Sequence, residues 1–379
     1  MDKMSVYLDN AATTKPCEEA VDAAVKMMRE NYGNPSSLHR AGLDAQLVMD
    51  KARKVIADSI GADSSCLYFT SGATESNNLA LRGIAGAYGK RKKKIVISAV
   101  EHASVDETAS ALETQGFEVV RVSPRDDGRM YAADFVNACD ENTCLLSMML
   151  VNNETGYILP VKDTFAAVKR RFPDIVTHCD CVQGYMKLPV KVTAMNADII
   201  SISAHKIHGV KGVGAIYIKK GVRVTPVITG GKQEKGIRSG TESTPLIAAF
   251  GAAAEKLLPT ISERYKTAEG LKSYLLDKLK DVEGVSVNSP EDGSPYVINI
   301  SAEGRRSEIM LHFLESKGVY VSSGSACSKG QQSGVLGEFG ITGKRADSAL
   351  RVSITAETTQ QELDAFVEAL KEGYEKVRG

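Results

Sequence analysis

The chain has 379 residues, 43% of them apolar, and is long enough for a large core and two domains. Its 47 basic and 47 acidic residues cancel, so no net field favours nucleic acid or an anionic membrane. No apolar run approaches membrane-spanning length, and the first residues, MDKMSVYLDNAATT, lack the pattern of a signal peptide. Seven scattered cysteines without framework spacing indicate reduced thiols and a cytoplasmic protein.

Apolar runs typical of strands alternate with helical patterns over much of the chain. The predicted strand Leu67–Phe69 leads into a helix near Glu75, and residues 174–184 form a strand carrying Asp180 and Gln183. This alternation predicts parallel βαβ units, in which ligands collect beyond the carboxyl ends of the strands. Five polar residues fall at such ends and are predicted to share one site: Thr74, His102, Asn153, Asp180 and Lys206.

A turn of small residues, Ser71 to Thr74, precedes the helix near Glu75. Free backbone N–H groups at a helix start, together with the positive end of the helix dipole, form an anion site. An ordinary helix cap explains the same residues, so both interpretations of this turn stay open.

Lys206 lies between two apolar runs in residues 197–218, ADIISISAHKIHGVKGVGAIYI. At this junction little would keep its side chain in water, and burial disfavours the charged form of a lysine. A less basic amine is what Schiff-base chemistry with an aldehyde requires. A solvated turn lysine is the alternative interpretation of this segment.

The pattern changes after a long Gly-rich loop, residues 225–244, and a helical region with a break at Pro259. The remainder mixes strands and helices without regular alternation. We therefore predict a large domain of residues 13–257 and a smaller α+β domain of residues 1–12 and 258–379.

Nine segments, in this order, together resemble the cysteine desulfurases, enzymes that use pyridoxal 5'-phosphate (PLP) to move sulfur from cysteine. The segments are LDNAATT, FTSGATESNNLA, EHASV, VNNETG, HCDCVQ, SAHKIHGVKGVGA, GIRSGTES, SSGSAC and LRVSI. The similarity covers essentially the whole chain. It implies the α/β fold of the PLP-dependent transferases (fold type I), with a mostly parallel seven-stranded sheet in the large domain.

The resemblance implies roles for four residues at the cofactor ring. Lys206 would hold PLP covalently, and Asp180 would face the pyridine nitrogen and keep it protonated. Gln183 would bond the phenolic oxygen, and His102 would stack on the ring and assist proton transfers.

The same resemblance implies that Ala73, Thr74, Ser203 and His205 hold the phosphate. Thr241 would reach the phosphate of the neighbouring subunit, so the active site would need a homodimer. At the substrate, Arg351 would clamp the carboxylate in a two-pronged bond, and Asn10 and Asn153 would complete the pocket.

Cys327, in the segment SSGSACSKGQQSG, is the implied sulfur acceptor. Its neighbours are Ser and Gly rather than core residues, so the loop of about residues 322–343 is predicted to be exposed and mobile. Attack of its thiolate on the sulfur of L-cysteine would leave a persulfide on Cys327 and L-alanine. The length of the loop is typical of relatives that pass sulfur to an iron–sulfur cluster scaffold or a tRNA-thiolation carrier.

Two further cysteines, Cys179 and Cys181, flank Asp180. Side chains alternate faces along a strand, so both thiols are predicted to point away from Asp180, to be buried and to bind no metal. His205 and His208 lack a third ligand nearby in the sequence, which also argues against a metal site.

Two alternatives to a cysteine desulfurase remain at this stage. A selenocysteine lyase or another class-V aminotransferase-type enzyme would share the PLP site, but transamination has no need of the Cys327 thiol. A non-catalytic scaffold on the same fold would predict a damaged cofactor site, yet Lys206, Asp180, His102 and Arg351 are present. Neither a nucleic acid nor a membrane is expected as a direct partner.

Overall fold

The structure is a computed structural model that describes residues 5–323 and 334–377. Within these ranges the strands are β1 (Val6–Tyr7), β2 (Leu67–Thr70), β3 (Lys94–Ser98), β4 (Glu118–Val122), β5 (Thr143–Met149), β6 (Val176–Asp180), β7 (Ile199–Ser203), β8 (Gly214–Ile218), β9 (Val285–Val287), β10 (Val297–Ala302), β11 (Val319–Tyr320), β12 (Ser322–Ser323) and β13 (Ala349–Ser353).

The helices of the same ranges surround these strands. They are α1 (Glu18–Arg29), α2 (Arg40–Ser59), α3 (Ala73–Tyr88), α4 (Ala103–Glu113), α5 (Ala132–Ala138), α6 (Val161–Arg171), α7 (Val192–Met195), α8 (Thr244–Leu257), α9 (Ile261–Lys280), α10 (Ser307–Ser316), α11 (Gly334–Glu338), α12 (Gly343–Asp347) and α13 (Gln360–Lys376). Among the residues described, no helix combines the length and apolar character needed to cross a membrane.

A seven-stranded sheet organises the larger part of the chain, with strand order β2-β8-β7-β6-β5-β3-β4. The pairs from β4 to β7 are parallel, and β8 runs antiparallel to both of its neighbours. Every residue of β5, β6 and β7 is buried, as expected for strands covered by helices on both faces. The predicted α/β fold with a mostly parallel seven-stranded sheet is confirmed.

Helix α3 begins at Ala73, two residues before the predicted start near Glu75. The side chain of Glu75 accepts a hydrogen bond of 2.8 Å from the Ser71 backbone N–H, which draws the turn into the helix. Gly214 of β8 permits the close approach of this turn, because a Cβ at that position would lie 2.8 Å from Gly72. The end of β2 is thereby held beside β8, at the edge of the sheet where the site forms.

Strand β6 ends at Asp180, so the predicted strand that would also carry Gln183 is too long. Asp180 Oδ1 accepts a 2.9 Å hydrogen bond from the Val182 N–H, and the N–H groups of Gly184 and Tyr185 bond to Cys181 O. These bonds turn the chain away from the sheet, and Gln183 lies in that turn.

The second sheet has the order β12-β13-β10-β9 and is antiparallel throughout. The apolar cluster around it begins with Val6 and Leu8 and continues from Ala268 to Leu370. Ile261 packs instead against the core of the larger sheet. The division at residues 12/13 and 257/258 stays a prediction.

The predicted mobile loop, about residues 322–343, is partly regular. It starts as β12, and its later part contains α11. Phe339 lies 5.5 Å, between ring centroids, from Tyr157 of the larger core. This contact anchors the end of the segment, while Cys327 lies outside the described residues.

Candidate active site

The predicted site residues gather at the carboxyl edge of the large sheet. Asp180 is the last residue of β6, His102 caps α4 after β3, and Lys206 lies in a 3-10 turn after β7. Gln183 Nε2 and Lys206 Nζ both donate to Ala11 O, at 2.9 and 2.5 Å. The parallel strands therefore bring together residues that are far apart in the chain.

The carboxylate of Asp180 is buried and held by two donors. The Val182 N–H donates to Oδ1, and Asn77 Nδ2 donates to Oδ2 over 2.7 Å. Asn77 lies in α3 and is fully buried. Both carboxylate oxygens are thus fixed in position before any ligand binds.

His102 is exposed, but one ring nitrogen is engaged in the fold. Its Nδ1 accepts the backbone N–H of Ser104 at 3.1 Å, which caps α4, and lies 2.8 Å from Ser104 Oγ. Within the described ranges, the hydrogen bonds of the ring are made by Nδ1, and the exposed edge that carries Nε2 is open to a ligand.

Lys206 is half-buried rather than withdrawn from polar partners. Its Nζ donates to Ala11 O at 2.5 Å and to Ala12 O at 2.6 Å, both in the turn after β1. The predicted loss of solvent is therefore only partial, and two carbonyls from a segment about 195 positions earlier in the chain bind the amine. These bonds hold the amine beside Ala11, to which Gln183 also donates.

Lys187 is a buried lysine of the site that the sequence analysis missed. It is 7% exposed, and its Nζ donates to Gln183 Oε1 at 3.1 Å. Burial, and then the charges of Lys206, Arg351 and Arg264, lower the pKa of Lys187 to about 7. Its position four residues after Gln183 was the available signal, but only the packing shows that it is buried.

The phosphate end of the predicted site lies at the start of α3. Ala73 and Thr74 occupy its first turn, where backbone N–H groups have no acceptor within the helix. Ser203 ends β7 and is buried. Burial, and then the charge of Lys206, lower the pKa of His205 to about 4, so His205 is a neutral donor or acceptor near pH 7.

Thr241 is exposed, in the loop between the larger sheet and α8. The structure contains one chain, so the predicted reach of Thr241 into a neighbouring subunit stays a prediction.

Arg351 of β13 connects the two sheets. Its NH2 group donates to Asp9 Oδ1 at 2.9 Å and its NH1 group to Asn153 O at 3.1 Å. Its Nε is buried and has no hydrogen-bond partner among the described residues. Asn10 uses its amide N–H groups on Tyr7 O and Ser353 O, so only its Oδ1 is left for a substrate.

Cys179 and Cys181 are both fully buried, and their sulfur atoms lie 3.4 Å apart within the apolar core. Burial raises the pKa of Cys179 far above its usual value. The predicted burial of the two thiols is confirmed. Among the described residues, no group of three or more His, Cys, Asp or Glu side chains is arranged to hold a metal ion.

The donors of this site fit PLP. The cofactor has an aldehyde, a ring nitrogen, a phenolic oxygen and a phosphate, and the site offers the Lys206 amine, the Asp180 carboxylate, the Gln183 amide and the first turn of α3. Arg351 Nε adds a buried donor that finds no acceptor within residues 5–323 and 334–377, and a carboxylate could supply that acceptor.

Comparison with known proteins supports this assignment. The aminotransferase class-V family matches residues 6–366. A cysteine desulfurase IscS of Methanosarcina thermophila is 37% identical over 377 residues, which cover 99% of this chain and 93% of that protein. The solved structure of a NifS-like protein has a TM-score of 0.92 at 37% identity, covering 97% of this chain and 99% of that one. A structure of SspA in complex with cysteine has a TM-score of 0.83 at 31% identity, covering 94% and 100%.

Fold and site together define a PLP-dependent enzyme of fold type I. The chain belongs to the aminotransferase class-V family, in the branch formed by the cysteine desulfurases. The predicted family and cofactor are confirmed, whereas the roles of individual site residues stay predictions.

Proposed function

We propose that the enzyme transfers the sulfur of L-cysteine to Cys327, with PLP held by Lys206. The observation that carries the proposal is the meeting of Lys206, Asp180 and His102 at one sheet edge in a chain of this family. In the overall reaction, the Cys327 thiol and L-cysteine become a Cys327 persulfide and L-alanine. The substrate C–S bond breaks, an S–S bond forms, and the substrate carbon gains a hydrogen.

PLP, when bound, supplies an electron-accepting ring that labilises bonds at the substrate carbons. Asp180 would hold a proton on the ring nitrogen, because a carboxylate favours the charged form of a neighbouring base. Its two fixed oxygens prevent it from turning away. His102 would move protons at its exposed edge.

Arg351 would bind the substrate carboxylate. Its Nε is buried with no partner in the part of the chain that the structure describes, and a carboxylate would satisfy it with a charge-assisted hydrogen bond. Asn153, whose carbonyl already contacts Arg351, and Asn10 would line the same pocket.

Cys327 is assigned as acceptor from the sequence. A thiol with the ordinary pKa of about 8.5 is only a few per cent thiolate at pH 7, and a pKa of about 7 would make it about half thiolate. We propose that its persulfide passes sulfur to an iron–sulfur cluster scaffold or a tRNA-thiolation carrier. The cytoplasmic location inferred from the cysteine usage belongs to the same proposal.

We also propose that the enzyme is a homodimer, with Thr241 completing the phosphate site of the neighbouring subunit. Thr241 is exposed, as a residue serving a partner must be in one isolated chain. Large apolar side chains are exposed along α1, α2 and the segment between them, which is typical of an interface. They are Met28 (58%), Tyr32 (77%), Leu38 (106%), Leu43 (51%) and Leu47 (57%).

The function is tested with the Cys327→Ala enzyme and L-cysteine. We expect no L-alanine and no sulfide, with the absorbance of bound PLP unchanged. Borohydride reduction followed by peptide mapping should label Lys206 in both enzymes. Undiminished product from Cys327→Ala would indicate a selenocysteine lyase or another class-V reaction, and label on a different lysine would overturn the site.

A further inference from the structure

Two buried polar side chains join the two residues proposed to face the cofactor ring. Asn77 Nδ2 lies 2.7 Å from Asp180 Oδ2 and 2.8 Å from Ser104 Oγ. Ser104 Oγ lies 2.8 Å from His102 Nδ1. Asn77 is fully buried and Ser104 is 8% exposed, so the two bonds of Asn77 are shielded from water, whereas the bond at His102 is half-buried. Asp180 and His102 are the two ends of one hydrogen-bonded chain through α3 and α4.

The carboxylate of Asp180 determines the direction of each bond in this chain. An ionised carboxylate only accepts, so the amide nitrogen of Asn77 must face it. The other N–H of that amide then donates to Ser104 Oγ. In agreement, Asn77 Oδ1 is buried and has no partner among the residues described, since both of its neighbours in the hydrogen-bonded chain require the nitrogen.

The Ser104 hydroxyl has a single hydrogen to donate. Its oxygen already accepts from Asn77, so this hydrogen is left for His102 Nδ1. The Ser104 backbone N–H donates to the same nitrogen at 3.1 Å. Two donors on Nδ1 require a lone pair there, which places the proton of the neutral ring on Nε2.

We infer that Asn77 and Ser104 are positioning residues that hold His102 as its Nε2–H tautomer. The inference rests on the proposed function, which places His102 at the ring and Asp180 at the ring nitrogen. His102 accordingly presents an N–H donor to the substrate side. It can give a hydrogen bond at Nε2, and it can take up a proton at that nitrogen only in the other tautomer, which the two donors on Nδ1 disfavour.

The tautomer can be measured without following catalysis. The protein is labelled with ¹⁵N in its histidine rings, and long-range ¹H–¹⁵N spectra are recorded for the holoenzyme and after removal of PLP. There are only 6 histidines, and His102→Asn identifies the signal of interest. We expect the ¹⁵N chemical shift of His102 Nδ1 to be that of an unprotonated, hydrogen-bonded nitrogen, and the shift of Nε2 to be that of a protonated nitrogen.

Substitutions in the relay should move the Nδ1 signal. Ser104→Ala removes one donor and should shift Nδ1 toward an unprotonated nitrogen without a hydrogen bond. Asn77→Ala should shift the Nδ1 signal in the same direction but by less. The Ser104 hydroxyl is then still present but is no longer held in position by Asn77. Ser104→Thr, which retains a hydroxyl, should restore the wild-type signal. Loss of one neutral hydrogen bond predicts about a fivefold lower kcat for Ser104→Ala, with KM for L-cysteine little changed.

Asn78→Ala is the matched control. Asn78 is the next residue of α3, and its side chain bonds to Thr74 O and Arg82 instead of the relay. Its spectrum should equal that of the wild type. A proton on Nδ1, or an Nδ1 signal that neither Ser104→Ala nor Asn77→Ala changes, would overturn the inference. The expected spectra in an enzyme that forms no L-alanine from L-cysteine would instead refute the proposed function and leave the relay standing.

Discussion

Lys187 donates a hydrogen bond of 3.1 Å from Nζ to Oε1 of Gln183. This bond determines which end of the Gln183 amide is free. Because Oε1 is taken, Nε2 faces the site, where it now bonds to Ala11 O. The proposed bond from Gln183 to the phenolic oxygen of PLP requires a donor, and Nε2 is one.

Replacing Lys187 by Met should weaken PLP binding and stabilise the PLP-free protein. Without the Lys187 bond the amide of Gln183 can turn over, and one hydrogen bond to PLP is lost. The dissociation constant for PLP should rise about three- to tenfold. Absorbance titration of the PLP-free protein measures it, and a value equal to that of the wild type would contradict the role of the Lys187–Gln183 bond.

The stabilising effect of Lys187→Met should depend on pH. The pKa of Lys187 is lowered by folding from 10.5 to about 7, so between these values the unfolded chain binds more protons than the folded one. The free-energy penalty of burying this lysine therefore applies in full below pH 7. Above pH 7 it decreases by up to about 1.4 kcal/mol per pH unit. Urea unfolding at pH 7 and 9 should show a larger advantage of Lys187→Met at pH 7.

Glu101 should make the protein less stable as the pH rises. It is buried beside the site, where desolvation raises its pKa from 4.5 to about 8 although Ser98 and the Met149 N–H bond to it. The folded state keeps the proton that the unfolded chain loses. Glu101 therefore contributes its full stabilisation to the free energy of unfolding below pH 4.5 and loses it as the pH rises toward 8. Glu101→Gln should flatten the fall in the free energy of unfolding between pH 5 and 8.

The matched control for that experiment is Glu107→Gln, on the exposed side of α4. It should leave the pH profile of urea unfolding unchanged. If Glu101→Gln and the wild type fall in parallel between pH 5 and 8, Glu101 is ionised in the folded protein and the argument from burial fails.

Arg351→Lys should impair the use of L-cysteine while leaving PLP bound. Lysine has no Nε–H group, so it cannot supply the donor that lacks a partner among the described residues. KM for L-cysteine should rise about ten- to hundredfold, the equivalent of one charge-assisted hydrogen bond. The exposed Arg345→Lys is the control, and equal KM values for the two variants would remove Arg351 from the substrate site.

Alkylation of the native protein should spare the buried thiols. Burial raises the pKa values of Cys139 and Cys144 to about 12, and it raises that of Cys179 as well. Because the thiolate is the reactive form, iodoacetamide at pH 7.5 should modify these three only after unfolding. Mass spectrometry of the peptides checks this, together with a zinc content near zero. Rapid modification of Cys179, or stoichiometric zinc, would show that the pair Cys179–Cys181 is not a core element.

The sequence by itself determined the α/β class and most of the candidate site. Polar residues that directly follow buried strands are recognisable locally, and parallel strands bring their carboxyl ends to one edge, so His102, Asp180 and Lys206 were predictable. The family segments added the cofactor and the reaction.

Only the tertiary structure decided which groups support these residues. Asn77 contacts Asp180 across 103 positions of the chain, and Arg351 contacts Asp9 across 342. The carbonyls at Lys206 and the burial of Lys187 likewise come from distant segments. Such contacts depend on how helices and the second sheet pack over the strand ends. The sequence pattern within one segment does not predict that packing.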